Sequence, residues 1–478
     1  MKKLLSILLS LCALLTVLTG CSFGGEDETK NNLFHEGLAL IRIDGEYGYV
    51  NKKGKLVIHP QFDNAMDFAE NGLAAVKIDG EWGFIDDDGD FVINPQFDSV
   101  YSFTENGLAA VKSGSEWGYI NKKGKFVINP QFDSVYPFAE NGLAAVKVDG
   151  EWGFIDDDGD YVINPQFSSI GSGWSGISFD ENGQCIVKTS SRYGVIDEDG
   201  DYVISPTYDE IWPLYDVLDP DKAPYYGIEK NGKYGFTDED GEIIVTPQYD
   251  IDEMFSNGLL CFQKGEKIGY LNKKGDIVIN PQFDSAYNFT ENGLALVRKG
   301  DKYGFINKKG EFVINPRFDS AYNFTENGLT AIEIDGEWGF IDEDGDYVIN
   351  PRFDSAYNFT ENGLAAVEID GEWGFVNEDG EIVITPQYKG VYDFGDISEY
   401  LTLATYPITS SGVLDGILGG SSLSSGKCLI DEEGVVVYDD IDSEASVTGY
   451  DDGYIRITSS DGDTGAILTE KGEVIYQG

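Results

Sequence analysis

The side chains in this chain best suited to chemistry are carboxylates set in short, glycine-closed runs. Asp86-Asp87-Asp88-Gly89-Asp90 recurs as Asp156 to Asp160, and close variants start at Asp197, Asp238 and Asp342. Alternating carboxylates such as Asp86, Asp88 and Asp90 offer the ligand chemistry of Ca²⁺, a hard cation that takes roughly six to eight oxygens. Yet the same slot reads Asn51-Lys52-Lys53-Gly54 early in the chain, and those letters return at 121–124, 272–275 and 307–310. A metal loop does not exchange its ligands for lysines. The expectation is therefore a hairpin turn with solvated charges, and no metal or cofactor.

Nothing else assembles into a catalytic set. The histidines are His35 and His59, and His59 stands where most repeats carry Asn before Pro, which reads as a turn variant. The sequence offers no Ser-His-acid or Cys-His arrangement, phosphate loop, zinc spacing or nucleophile elbow. Among 85 acidic residues, a carboxylate pair at glycosidase separation arises by chance, so carboxylate abundance is no evidence for hydrolysis. The chain is expected not to be an enzyme; the alternative is a surface-anchored cell-wall or glycan hydrolase. Apart from Cys12 and Cys21, the cysteines are Cys185, Cys261 and Cys428, odd in number and far apart. Cys185 and Cys261 fall where other repeats have Ala, and read as small buried residues.

Charge narrows the partners. With 33 basic against 85 acidic residues the net charge is −52. Phosphate neutralisation needs a basic surface, so nucleic acid is excluded as a partner. Adhesion to a bare anionic lipid surface is disfavoured for the same reason.

These residues sit in a motif of about 35 residues that returns ten times. Its fixed point is an aromatic-Gly pair, led by Tyr47, Trp82, Trp117, Trp152, Tyr193, Tyr234, Tyr303, Trp338 and Trp373, with Ile268 in the remaining unit. In the unit from Gly72, the run Leu73 to Ile78 reads as a strand, Asp79-Gly80 as a tight hairpin turn, and Trp82 to Asp86 as the returning strand. A second turn at Asp87-Asp88-Gly89 leads into Asp90 to Asn94, and Asn94-Pro95 is expected to stop the ladder. The segment Phe97 to Phe103 reads as a fourth short strand or an irregular crossover. A lone meander of this kind is marginal in water, so the repeated aromatic is expected to be a core residue packed between neighbouring units.

The pattern resembles the WG-repeat family, on the recurrence of Gly-Leu-Ala, Trp-Gly-Phe-Ile-Asp, Asp-Gly and Pro-Gln-Phe-Asp in fixed order. The resemblance covers residues 36–394, and what it implies is mostly architecture. The expected fold is all-β: tandem three- to four-stranded antiparallel repeats in an open, propeller-like or superhelical array, or alternatively two fused β-propellers. Two longer steps place elaborated loops within 168–226, where Trp174 and Trp212 are candidate binding aromatics. Residues 395–478 read as degenerate terminal repeats that cap the array, with a Gly/Ser-rich loop at 409–427.

The amino terminus gives the compartment. Lys2 and Lys3 precede an apolar run from Leu4 to Leu18, too short for an ordinary span, and Leu18-Thr19-Gly20-Cys21 follows. That ending resembles the lipobox of bacterial lipoproteins, with residues 1–20 as signal peptide and Cys21 as the lipidated residue. Residues 21–35 then form a polar tether. The resulting expectation is a monomer on the extracytoplasmic face, held to the membrane through the lipid anchor alone. It is read as a scaffold for an unidentified protein or cell-wall polymer.

Overall fold

The computed structural model describes residues 31–171, 179–180, 182–215, 225–251, 255–392, 397–398, 400–405, 427–441 and 444–478. Among these, every regular element is a β-strand. The first unit holds β1 (Leu38–Ile43), β2 (Glu46–Asn51) and β3 (Leu56–Phe62). The second holds β4 (Asn64–Ala65), β5 (Ala74–Ile78), β6 (Glu81–Ile85) and β7 (Phe91–Phe97), hydrogen-bonded in that order. The crossover after a unit thus supplies a short strand, here of two residues, that joins the sheet of the next unit. The hairpin between β5 and β6 turns at Asp79 (φ 52°) and Gly80 (φ 88°), the doubly positive backbone that matches the twist of paired strands.

The ladder does not stop at Asn94-Pro95. β7 runs through both to Phe97, and His59 likewise lies within β3 rather than in a turn. The register explains how proline is tolerated. Trp82 lies opposite Phe97 and Phe84 opposite Ile93, with a shift between the two pairs. Pro95 therefore sits in a bulge, where no ladder N–H is required. That bulge passes directly over Gly83: a Cβ there would lie 2.5 Å from the Ile93 carbonyl oxygen and 2.7 Å from the Pro95 nitrogen. The same overlap recurs at Gly118, against Ile128 and Pro130. The glycine of each aromatic-Gly pair is thus fixed by the proline bulge of the strand beside it.

Residues 210–283 join two units in one seven-stranded sheet, because the strand Ile243–Ile251 pairs with Lys233–Thr237 at one end and with Leu259–Lys264 at the other. Beyond residue 394 the motif weakens, yet two further four-stranded sheets form, the last spanning Ser446 to Gln477. The tandem array therefore has twelve units.

Units pack face to face, each junction closing an apolar cluster. Between the second and third units it comprises Phe84, Phe97, Phe103, Val111 and Ile120, among others. The next-but-one residue after the repeated aromatic is fully buried, as Tyr49, Phe84 and Tyr119 show, each 0% exposed. Tyr119 keeps its hydroxyl satisfied by donating to the Tyr136 carbonyl at 2.8 Å. Cys185, Cys261 and Cys428 are buried in the same layers.

Consecutive junctions form a single series, so the chain does not divide into two fused propellers. Its two ends, expected to stand apart under polar caps, meet instead. Leu33, Phe34, Ile41 and Val50 of the first unit share a cluster with Ile467 and Tyr476 of the last. Packing the terminal faces on each other buries apolar surface that polar caps would otherwise have to shield. The result is a propeller-like circuit of twelve units.

Candidate functional site

The repeated aromatic begins the third strand of its unit, and its position there decides its exposure. Trp82 and Trp152 are buried, whereas Tyr47, Trp117, Tyr193, Tyr234, Tyr303, Trp338 and Trp373 are half-buried. They pack between neighbouring units as expected, but at the edge of the junction rather than at its centre. The centre belongs to the residue two places on and to the Phe of Pro-Gln-Phe.

What meets Trp117, Trp152, Trp338 and Trp373 is a tyrosine sixteen residues earlier in the crossover. Tyr101 and Trp117 have ring centroids 5.4 Å apart, and Tyr322 and Trp338 5.5 Å. Tyr136 stacks on Trp152 at 5.1 Å and 22°, and Tyr357 on Trp373 at 5.0 Å and 16°. Such pairs add about 0.5–1.5 kcal/mol beyond their buried area. The tyrosine side of the pair reaches solvent: Tyr322 is 39% and Tyr357 37% exposed. Because these four units have the same strand order, the pairs fall at the same place in the sheets of the third, fourth, ninth and tenth units. The circuit therefore carries a rim of aromatic pairs.

Charge is graded along that rim. Lys77, Lys147 and Lys188 lie over the rings of Trp82, Trp152 and Tyr193 at 5.9, 5.5 and 4.5 Å. In later units the residue opposite the aromatic is acidic: Glu333 faces Trp338, and Glu368 faces Trp373. Cation–π contact of this kind covers the rings of Trp82, Trp152 and Tyr193.

Trp212, a candidate binding aromatic of a longer loop, lies instead in the strand Glu210–Leu214 and is 8% exposed. It packs edge-on against Tyr234 at 5.7 Å, in the slot that tyrosine fills elsewhere. Its bulk needs that partner, since an exposed indole would forfeit a large apolar contact area. Trp174 and Cys21 lie outside the described residues, as does most of the Gly/Ser-rich stretch at 409–427.

The acidic turns have a structural job. Asp86 accepts the Asp90 N–H on its carboxylate at 2.9 Å. Asn51 does the same for Lys55 at 3.1 Å with its amide oxygen. Either side chain closes the turn, which is why Asp and Asn exchange there while the next two residues switch between acid and lysine. Asp88 makes no turn bond of that kind in the hydrogen-bond pattern of Asp86. Among the described residues, no group of three or more His, Cys, Asp or Glu side chains is placed to hold a metal ion. Ion pairs tie a unit to the crossover that enters the next: Lys267 to Asp284 and Lys302 to Asp319, each at 2.5 Å.

The tyrosine half of the rim is the element that inspection of the aromatic-Gly pairs misses. Its signal is the recurrence of Tyr at Tyr101, Tyr136, Tyr287, Tyr322 and Tyr357, visible once the crossover is assigned to the following sheet.

Among the described residues no helix is long and apolar enough to cross a membrane. No curated protein matches the chain. Among solved structures it is similar to a eukaryotic initiation factor, at 11% identity and a TM-score of 0.31, covering 72% of this chain and 98% of that one. It is similar also to Kluyveromyces lactis Hsv2p, at 12% identity and a TM-score of 0.28, covering 50% and 90%. A third is the extracellular domain of the putative hybrid two component system BT4673 from B. thetaiotaomicron, at 10% identity and a TM-score of 0.25, covering 96% and 78%. Overlaps this low specify no function. The family model described as "WG containing repeat" matches ten segments, beginning at 47–82 and running to 373–396, with a gap only at 173–192. On its repeats, its register and this match, the chain belongs to the WG containing repeat family.

Proposed function

We propose that this protein is a lipid-anchored extracytoplasmic scaffold that binds a protein or a cell-wall polymer and carries out no catalysis. The observation that carries the binding part is the rim of aromatic pairs, repeated in the same place in the sheets of four units. A surface that repeats suits a partner that repeats, or one large enough to engage several units at once, where linked weak contacts multiply. Aromatic faces beside polar side chains are the composition that interfaces favour. The anchor part rests on the sequence leading to Cys21. A single acyl chain holds a protein marginally and two or more hold it stably.

Two measurements test the reading. Metabolic labelling with a palmitate analogue should mark the wild-type chain, be blocked by globomycin and disappear in Cys21→Ala; an unlabelled wild type sinks the anchor. Incubating residues 22–478 with peptidoglycan and glycan panels should show retention on the insoluble material without release of soluble fragments. Release of fragments would replace the scaffold with the hydrolase.

A further inference from the structure

The circuit has one junction unlike the rest. In the second unit, β4 covers the free edge of β5: the Met66 N–H donates to the Ala75 carbonyl and the Asp63 N–H to the Lys77 carbonyl, both at 2.9 Å. Among the described residues the first sheet has three strands, and none of them covers the edge of β1. Leu40 and Arg42 are the β1 counterparts of Ala75 and Lys77, and the last unit supplies their partners. The Arg456 guanidinium donates to the Leu40 carbonyl at 2.5 Å, and the Arg42 N–H donates to the Thr464 hydroxyl at 3.2 Å.

Carboxylates of the last unit take over the flanks as well. In the third unit the crossover residue Asp98 caps the hairpin by accepting the Gly114 N–H at 2.7 Å. In the first unit Asp463 accepts the Gly45 N–H at 3.1 Å. Ahead of β1, Asp452 accepts the N–H groups of Leu33 and Phe34, and Asp451 exchanges two bonds with Asn31. Among the described residues no chain segment crosses this seam, whereas every other pair of neighbouring units is joined by a crossover. The seam is also incompletely satisfied, since Asn32 Oδ1, Arg42 Nε and Arg456 Nε are buried there without partners. Unpaired buried groups weaken a junction.

We propose that the last unit is a clasp whose side chains hold the edge of β1, and that the circuit opens at this seam before any other junction. The other units stay stacked through their crossovers and apolar clusters when it does. Opening bares the edge of β1, an unpaired row of N–H and C=O groups. An array of repeats then passes from a closed circuit to an extended series without unfolding a unit, as nearest-neighbour coupling allows.

Amide hydrogen exchange on the full chain in mild detergent reads this directly. Gly45 at the seam should exchange at least about tenfold faster than Gly114, Asp335 and Asp370, the hairpin amides that crossover carboxylates cap inside the array, because local opening is governed by local free energy. Asp452→Ala combined with Asp463→Ala, which removes the acceptors outright, should speed Leu33, Phe34 and Gly45 further and leave the interior amides unchanged. An Asn31→Cys/Asp451→Cys pair, oxidised, should slow the seam to interior rates, and reduction should reverse it. Equal rates at seam and interior in the wild type would overturn the clasp. So would carboxylate variants that accelerate every junction alike, or a formed disulfide that leaves the seam as fast as before.

Discussion

Replacing Gly118 with alanine should be among the most damaging single-methyl additions this chain can suffer. The new Cβ would lie 2.5 Å from the Ile128 carbonyl oxygen and 2.7 Å from the Pro130 nitrogen. Both are backbone atoms, so no side-chain rotation relieves the overlap. Gly118 is not among the positive-φ residues, hence the cost is steric and not conformational. Overpacking alone costs about 1–3 kcal/mol. Relief requires the strand Phe126–Phe132 to move outward, and that uncovers Ile128 and Phe132, now 3% and 1% exposed. Partial exposure of two such side chains adds a comparable amount, giving about 3–5 kcal/mol in all. Urea denaturation followed by intrinsic fluorescence should show the loss. Exchange should place it in the third and fourth units, with a second transition split off from the rest. Gly114→Asn is the control: a Cβ there meets nothing within 4 Å, and Asp79 and Asp149 hold the same turn slot at φ 52° and 51°. Its cost should stay within about 0.5 kcal/mol. If Gly118→Ala costs no more than the control, the proline bulge does not explain the aromatic-Gly pair.

Other outcomes follow from the same geometry. Tyr119→Ala, at the centre of a junction, should cost about 3–5 kcal/mol, whereas Trp117→Ala, at its half-buried edge, should cost roughly half as much; thermal melts of the two variants decide the order. Asp86, Asp88 and Asp90 changed together to Asn should leave the circular dichroism spectrum and melting temperature indifferent to Ca²⁺ and to chelator, because an amide oxygen closes this turn as well as a carboxylate; melting on chelation of the wild type contradicts that. Lys267 and the Gly300 N–H hold the Asp284 carboxyl below its ordinary value, and Lys302 and the Asp335 N–H do the same for Asp319. Folded-state values below the unfolded ones mean a stabilisation present above the ordinary carboxylate pKa of roughly 3.9 and lost as pH falls through the lowered values. Asp284→Asn with Asp319→Asn should therefore flatten the acid limb of a stability–pH profile, and an unchanged limb would refute the assignment.

Much of the fold was legible because the repeat is nearly literal. Strand periodicity, the Asp79-Gly80 turn and the all-β class all lie in local letters. The proline was misleading, since Asn94-Pro95 looks like a stop and becomes a bulge only because Gly83 in the neighbouring strand leaves room for it. The depth of the aromatics was also hidden: Trp is the larger residue, but Tyr119 rather than Trp117 points into the centre, which depends on which strand face meets the next unit. Trp212 looked like a loop residue because the extra residues after it interrupt the period of the sequence, and only the pairing of its strand shows it in the tyrosine slot. The meeting of the ends rests on Asp452, Arg456 and Asp463, residues with no counterpart in the repeat and more than four hundred positions from their partners.

The central claim is that the aromatic rim is a binding surface. Co-sedimentation of the chain with isolated cell envelopes, comparing wild type with Tyr322→Ala/Tyr357→Ala, tests it most directly. Both tyrosines stand at the exposed side of their pairs, so the double variant should keep its fold by circular dichroism and lose envelope binding by about tenfold or more, in line with loss of aromatic anchors. A folded double variant that sediments with envelopes as well as wild type would contradict the claim.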